Sequence, residues 1–126
     1  WAVTTSDVAA TSEQLTTAGY EVTEAAAGSR LQEDGSTLRW TTMQITQPEV
    51  IGAPFFIEWS GDSVHPSESS PGGCTLEQFK LSVPEPDQNR DLFELLGVEI
   101  SLEQDAEPGY SIALDCPRGA VHFGKE

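Results

Sequence analysis

The residue whose type and setting most ask for a chemical explanation is Glu58. It stands inside Phe55-Phe56-Ile57-Glu58-Trp59, an otherwise apolar run. A carboxylate there is costly unless a cation, a metal ion or hydrogen bonds receive it. An ion pair with Arg39 or Arg30 would satisfy it without any function. His122 sits in a second short apolar run, Ala120-Val121-His122-Phe123. A neutral imidazole is a good metal ligand, although a plain strand histidine needs no such role. The arginines suggest a different chemistry. Only Arg30, Arg39, Arg90 and Arg118 occur in a chain with 21 Asp+Glu. A guanidinium in a cleft of so acidic a chain is a natural clamp for a carboxylate or phosphate. Trp40, Trp59 and Phe56 supply apolar walls, though aromatics at strand spacing also serve simply as core. His65 belongs to a His-Pro dipeptide and reads as structural or as part of a cleft rim. The sequence offers no Ser/His/Asp or Cys/His constellation, no glycine-rich phosphate loop and no zinc-type pairing of cysteines.

Composition narrows the ligand classes. The chain has 126 residues, the length of one domain, and a formal net charge of −15. Nucleic-acid binding is excluded because a phosphate backbone needs a basic footprint, and docking on anionic membranes fails for the same reason. No apolar run approaches the ~18 residues of a membrane span. The acid is dispersed rather than blocked, and Lys80 and Lys125 are the only lysines. That surface looks adapted to high salt, which would screen the self-repulsion. Cys74 and Cys116 are too few for a disulfide scaffold and are expected as free thiols in a reducing cytoplasm, a single bridge being the other arrangement. Trp1 rather than Met opens the chain, so a fragment or processed product is expected, with sequence upstream.

The elements that must position these residues recur at an offset of 78. Ala2-Val3-Thr4-Thr5-Ser6-Asp7 matches Lys80-Leu81-Ser82-Val83-Pro84-Glu85, and Gly19-Tyr20-Glu21-Val22 matches Gly97-Val98-Glu99-Ile100. Helices are predicted over about 7–18 and 87–96, with Asp7 and Asp87 as N-caps and Gly19 and Gly97 just past the C-termini. Strands follow at about 20–25, 37–45 and 55–59, with a hairpin turn at Glu33-Asp34-Gly35-Ser36, and again at about 98–104, 110–114 and 120–123. Each half is then β-α-β-β-β. The expected domain is a single one: module one about 1–59, linker about 60–73, module two about 74–126. The fold class is α+β, with the two paired βαβββ modules leaving a cleft between their sheets for a small ligand.

This organisation resembles the vicinal oxygen chelate superfamily, and more narrowly its glyoxalase-like domain family. The residues carrying the likeness are Trp1-Ala2-Val3, Asp7-Val8-Ala9-Ala10, Gly28-Ser29-Arg30 and Asp34 to Trp40. Pro54 to Trp59 followed by His65-Pro66, then Gly73-Cys74, Pro84-Glu85-Pro86 and Pro117-Arg118-Gly119 complete it. The resemblance implies a divalent metal (Zn, Ni, Mn or Fe) held by residues on the first and last strands of each module. Carried onto this chain, it implies Glu58 and His122 as ligands, with Gln78 in the usual histidine position of module two. The matching position of module one falls one residue before Trp1, so three of four ligands lie in this chain. One expected function is a metal-dependent lyase, isomerase or dioxygenase acting on a small metabolite, with Glu58 also as the catalytic base. The alternative is a non-catalytic small-molecule-binding module, or part of a longer multi-module protein, in which Arg39, Arg30, Trp40 and Trp59 hold an anionic or aromatic ligand. Pairing of the modules within one chain and swapping between two chains of a homodimer both satisfy the pattern.

Overall fold

Eight strands and three helices form around the two halves of the repeat in a computed structural model that describes residues 1–125. The chain divides into two units: Trp1–Pro48 with Pro54–Ser70, and Glu49–Ala53 with Pro71 onward. No helix among the described residues is long and apolar enough to cross a membrane.

In the first unit, β1 (Ala2–Thr4) leads to α1 (Val8–Thr17), then to β2 (Ala26–Leu31), β3 (Thr37–Gln44), β4 (Phe55–Trp59) and the short α2 (Pro66–Ser69). The sheet order is β1-β4-β3-β2, with β1 parallel to β4 and the other pairs antiparallel. The row Val3–Phe56–Met43 runs across three strands. Val8 and Leu15 of α1 are buried together with Phe56 and Met43, and α1 packs on β3 and β4. Each such side chain contributes about 1.5–3 kcal/mol on burial. Because side chains alternate along a strand, one face of this sheet is set against α1, and the other carries Trp40 and Trp59 half-buried beside the buried Leu38 and Ile57. α1 starts where expected: Asp7 is its N-cap and its Oδ1 accepts from Ala10 N at 2.9 Å. It ends at Ala18, followed by Gly19 with a φ of 94° that only glycine adopts cheaply. The strand predicted over 20–25 is not one. Val22 makes a lone bridge to Ile45, and pairing begins in earnest at Ala26. Small residues at 25–28 hid a strand whose register is set by β3 rather than by its own propensity.

The second unit has the same element order: β5 (Thr75–Val83), α3 (Pro86–Leu96), β6 (Ser101–Gln104), β7 (Gly109–Cys116) and β8 (Gly119–Gly124). Its strand order is not the same. It reads β6-β5-β7-β8, with β5 parallel to β6 and antiparallel to β7. The first and last strands of unit one are neighbours, whereas β7 separates β5 from β8. The first strands of the two units also differ in length. β1 has three residues and takes an edge, while β5 has nine and can pair on both sides. Leu92 and Phe93 of α3 are buried, as are Leu81 and Val83 of β5. Segment 49–53 closes against them, since a Cβ on Gly52 would lie 3.1 Å from Leu81, and the buried Asn89 amide donates to Ile51 O at 2.9 Å. α3 begins one residue before the expected Asp87 cap. Glu85 holds the N-cap position, Pro86 takes the first helical turn, where its missing N–H costs nothing, and Asp87 pairs with Arg90 instead. Gly97 closes the helix in the left-handed region, as expected.

The two cysteines are not free thiols: Cys74, just before β5, is bonded to Cys116 at the end of β7. The spacing of 42 residues concealed this, because it is the antiparallel pairing of Thr75 with Asp115 that brings the neighbouring cysteines face to face. Reducing cytoplasm keeps most thiols unpaired, so the bond removes the argument for that compartment.

Candidate functional site

The face of the first sheet away from α1 gathers most of the residues singled out as ligand contacts. Gly28, Trp40 and Trp59 are register partners across β2, β3 and β4, and so project to one face. The two indoles meet edge to face with ring centroids 5.8 Å apart, and His65 meets Trp59 in the same manner at 5.5 Å. His65 is fixed in turn by its Nδ1, which accepts from Ser67 N at 3.1 Å. A Cβ on Gly28 would lie 2.4 Å from the Trp40 Nε1, so the Trp40 ring rests directly on the β2 backbone. Two residues further along β2, on this same face, stands Arg30. It lines a hollow of about 570 Å³ with Gln32, Glu33 and Ser69. Among the described residues Arg30 has no ion-pair partner. An uncommitted guanidinium on the same sheet face as two indole rings can take a planar anionic group bidentately, although Glu33 and Asp34 line the same hollow.

Arg39 is placed differently. It is adjacent to Trp40 in sequence and therefore points to the opposite face of β3. Its guanidinium lies 3.6 Å from the Asp62 carboxylate, and its backbone N–H donates to Ser63 Oγ. Asp62 is held below the usual carboxylate range, first by the Ser60 hydroxyl and last by Arg39. Arg39 thus ties β3 to the 60–63 turn.

Glu58 also lies on the helix-facing side, in the same alternation as Phe56. Its Oε2 accepts from Val8 N at 2.7 Å. The carboxylate that looked costly in an apolar strand is received by the free N–H and positive dipole end of α1. Neither arginine is its partner.

In the second unit, Gln78, Ala113 and His122 form one row across β5, β7 and β8. Gln78 and His122 share a face with small Ala113 between them, and both line a recess of about 370 Å³. Gln78 is aimed by a β-bulge: Leu76 pairs with Leu114 and Gln78 with Ala113, leaving Glu77 as the extra residue. Lys80, Ser111 and Lys125 line this recess too. Sequence reasoning passed over both lysines as site residues, although their rarity was the available signal.

A divalent metal was expected on Glu58, His122 and Gln78. Glu58 belongs to the first unit, and Gln78 and His122 to the second. The Glu58 carboxylate is engaged by α1, Gln78 is a weak donor, and among the described residues no three His, Cys, Asp or Glu side chains are grouped so as to hold a metal ion.

Residues 1–97 match the family model described as a glyoxalase-like domain. No curated protein matches the chain. A crystal structure of a hypothetical protein from Staphylococcus aureus is similar in fold, with a TM-score of 0.63 at 16% sequence identity. The likeness covers 98% of this chain and 50% of that one, so this chain spans about half the length of that relative.

Proposed function

The chain belongs to the glyoxalase-like domain family, and from that premise we propose that it binds a small aromatic carboxylate on the face of its first sheet away from α1. The observation that carries this reading is the grouping of the unpaired Arg30 with Trp40 and Trp59 on one sheet face. The guanidinium receives the carboxylate and the indoles pack against the ring. Trp59 is braced by His65, and Gly28 lets Trp40 lie flat, so the wall is held in place before the ligand arrives. Arg39 serves the fold rather than the ligand.

Metal-dependent lyase, isomerase or dioxygenase activity is the competing reading, and it draws on the family rather than on this donor set. Calorimetric titration with benzoate and with its uncharged amide separates the two. Saturable binding of benzoate, at least tenfold weaker in Arg30→Met and unchanged in Arg39→Met, is the expected result. Equal binding of acid and amide, or equal losses in both variants, would refute the assignment. About one equivalent of tightly held metal lost in Glu58→Gln would favour the enzyme reading.

A further inference from the structure

We infer a second ligand site in the other unit: the recess on the open face of sheet β6-β5-β7-β8 holds a small oxyanion, a carboxylate or phosphate group, among Gln78, Lys80, His122 and Lys125. The starting point is charge. A chain of net charge −15 repels anions nearly everywhere, yet its only two lysines line one recess. Both ammonium groups therefore face one recess, the setting in which a cation can offset the surrounding charge.

The shape follows from residue size. Ser111, Ala113 and Gly124 form a floor of small side chains, and the long side chains of Gln78, Lys80, His122 and Lys125 rise around it. Gly124 is obligatory there. Its φ is 90°, and a Cβ would fall 2.0 Å from Tyr110 O. About 370 Å³ accommodates a small acid with some of its water.

The donors are held in position. Lys80 Nζ lies 2.7 Å from Glu103, and Lys125 Nζ lies 2.5 Å from Asp105 and 3.0 Å from Glu107 O. An ammonium has three donors, so the pairs leave N–H groups on both lysines for a ligand. Tethering also lowers the side-chain entropy lost on binding. The Gln78 amide and the His122 imidazole have no partner among the described residues. The bulge contributes as well. Without it the residue opposite Ala113 would be Glu77, whose carboxylate would oppose an anion; with it, the neutral Gln78 amide stands there.

The test uses the full chain in chloride buffer at constant ionic strength, titrated calorimetrically with inorganic phosphate and, separately, with malonate. Saturable binding of either is expected, and which one saturates identifies the ligand as a phosphoester or a carboxylic acid. Affinity should fall at least tenfold in Lys80→Met and in Gln78→Glu, and remain unchanged in Arg118→Gln, whose cation lies outside the recess. Gln78→Glu is isosteric, exposed and leaves both ion pairs intact, so its effect is not one of folding. No saturable binding by either probe overturns the inference. So does an unchanged affinity in Gln78→Glu, or an equal loss in Arg118→Gln.

Discussion

Removing the Glu58 carboxylate leaves Val8 N–H without its acceptor at the start of α1. Glu58→Ala is therefore expected to lower stability by about 1 kcal/mol, as loss of a helix cap does, read as a fall in melting temperature. Glu58→Gln keeps an acceptor and should lose less. Gly28→Ala is the sharper probe of the aromatic face. The added methyl would meet the Trp40 ring at 2.4 Å, so the ring must leave the β2 backbone. Near-ultraviolet circular dichroism should change while far-ultraviolet ellipticity stays the same. At this scale the sequence announced that Glu58 needed a partner but not which one. The donor is a backbone N–H 50 residues earlier, and backbone groups carry no sequence signature. Arg30 and Arg39 looked equivalent as residue types; strand parity, fixed by pairing with β2 and β4, separates them.

The elements themselves were legible where local chemistry decides them. Asp7, Gly19 and Gly97 mark helix ends by capping and by left-handed backbone, and all three appear where those rules put them. Strand order was not legible, because the same β-α-β-β-β succession gives β1-β4-β3-β2 in one unit and β6-β5-β7-β8 in the other. The consequence is direct, since β7 stands between Gln78 and His122 and keeps them two strands apart. The bond between Cys74 and Cys116 clamps β5 to β7 across 42 residues. Reducing it should cost about 2–4 kcal/mol in denaturant melts, as should the Cys74→Ser, Cys116→Ser double variant. The loop between β6 and β7 adds a pH dependence. Asp105 is held below its ordinary value of 3.8, first by the Lys125 ammonium and then by Glu107 N–H. A carboxylate depressed in the folded state contributes stability above the unfolded value, and that contribution is lost as pH falls through the folded one. Acid unfolding should thus be shallower below pH 3.8 in Lys125→Met than in the parent, a difference absent at neutral pH slopes.

For the whole molecule, net charge is the dominant physical fact. Fifteen uncompensated negative charges repel one another, and the ion pairs present are exposed or half-exposed and contribute little. We propose adaptation to salt: the melting temperature should rise from dilute buffer to molar KCl, where screening shortens to about 3 Å. An unchanged melting temperature would argue against it. The family, the α+β class and the doubled βαβββ pattern were all readable from spacing and resemblance, whereas the metal centre rests on the resemblance alone. The most direct measurement of the account's central claim is a nitrogen-15 NMR titration with benzoate, following the indole N–H signals of Trp1, Trp40 and Trp59. Trp40 and Trp59 should shift together and saturate while Trp1, before β1, stays still, and Arg30→Met should abolish the movement. Shifts at Trp1 equal to those at Trp40 and Trp59, or none at any of the three, would contradict the assignment of the ligand face.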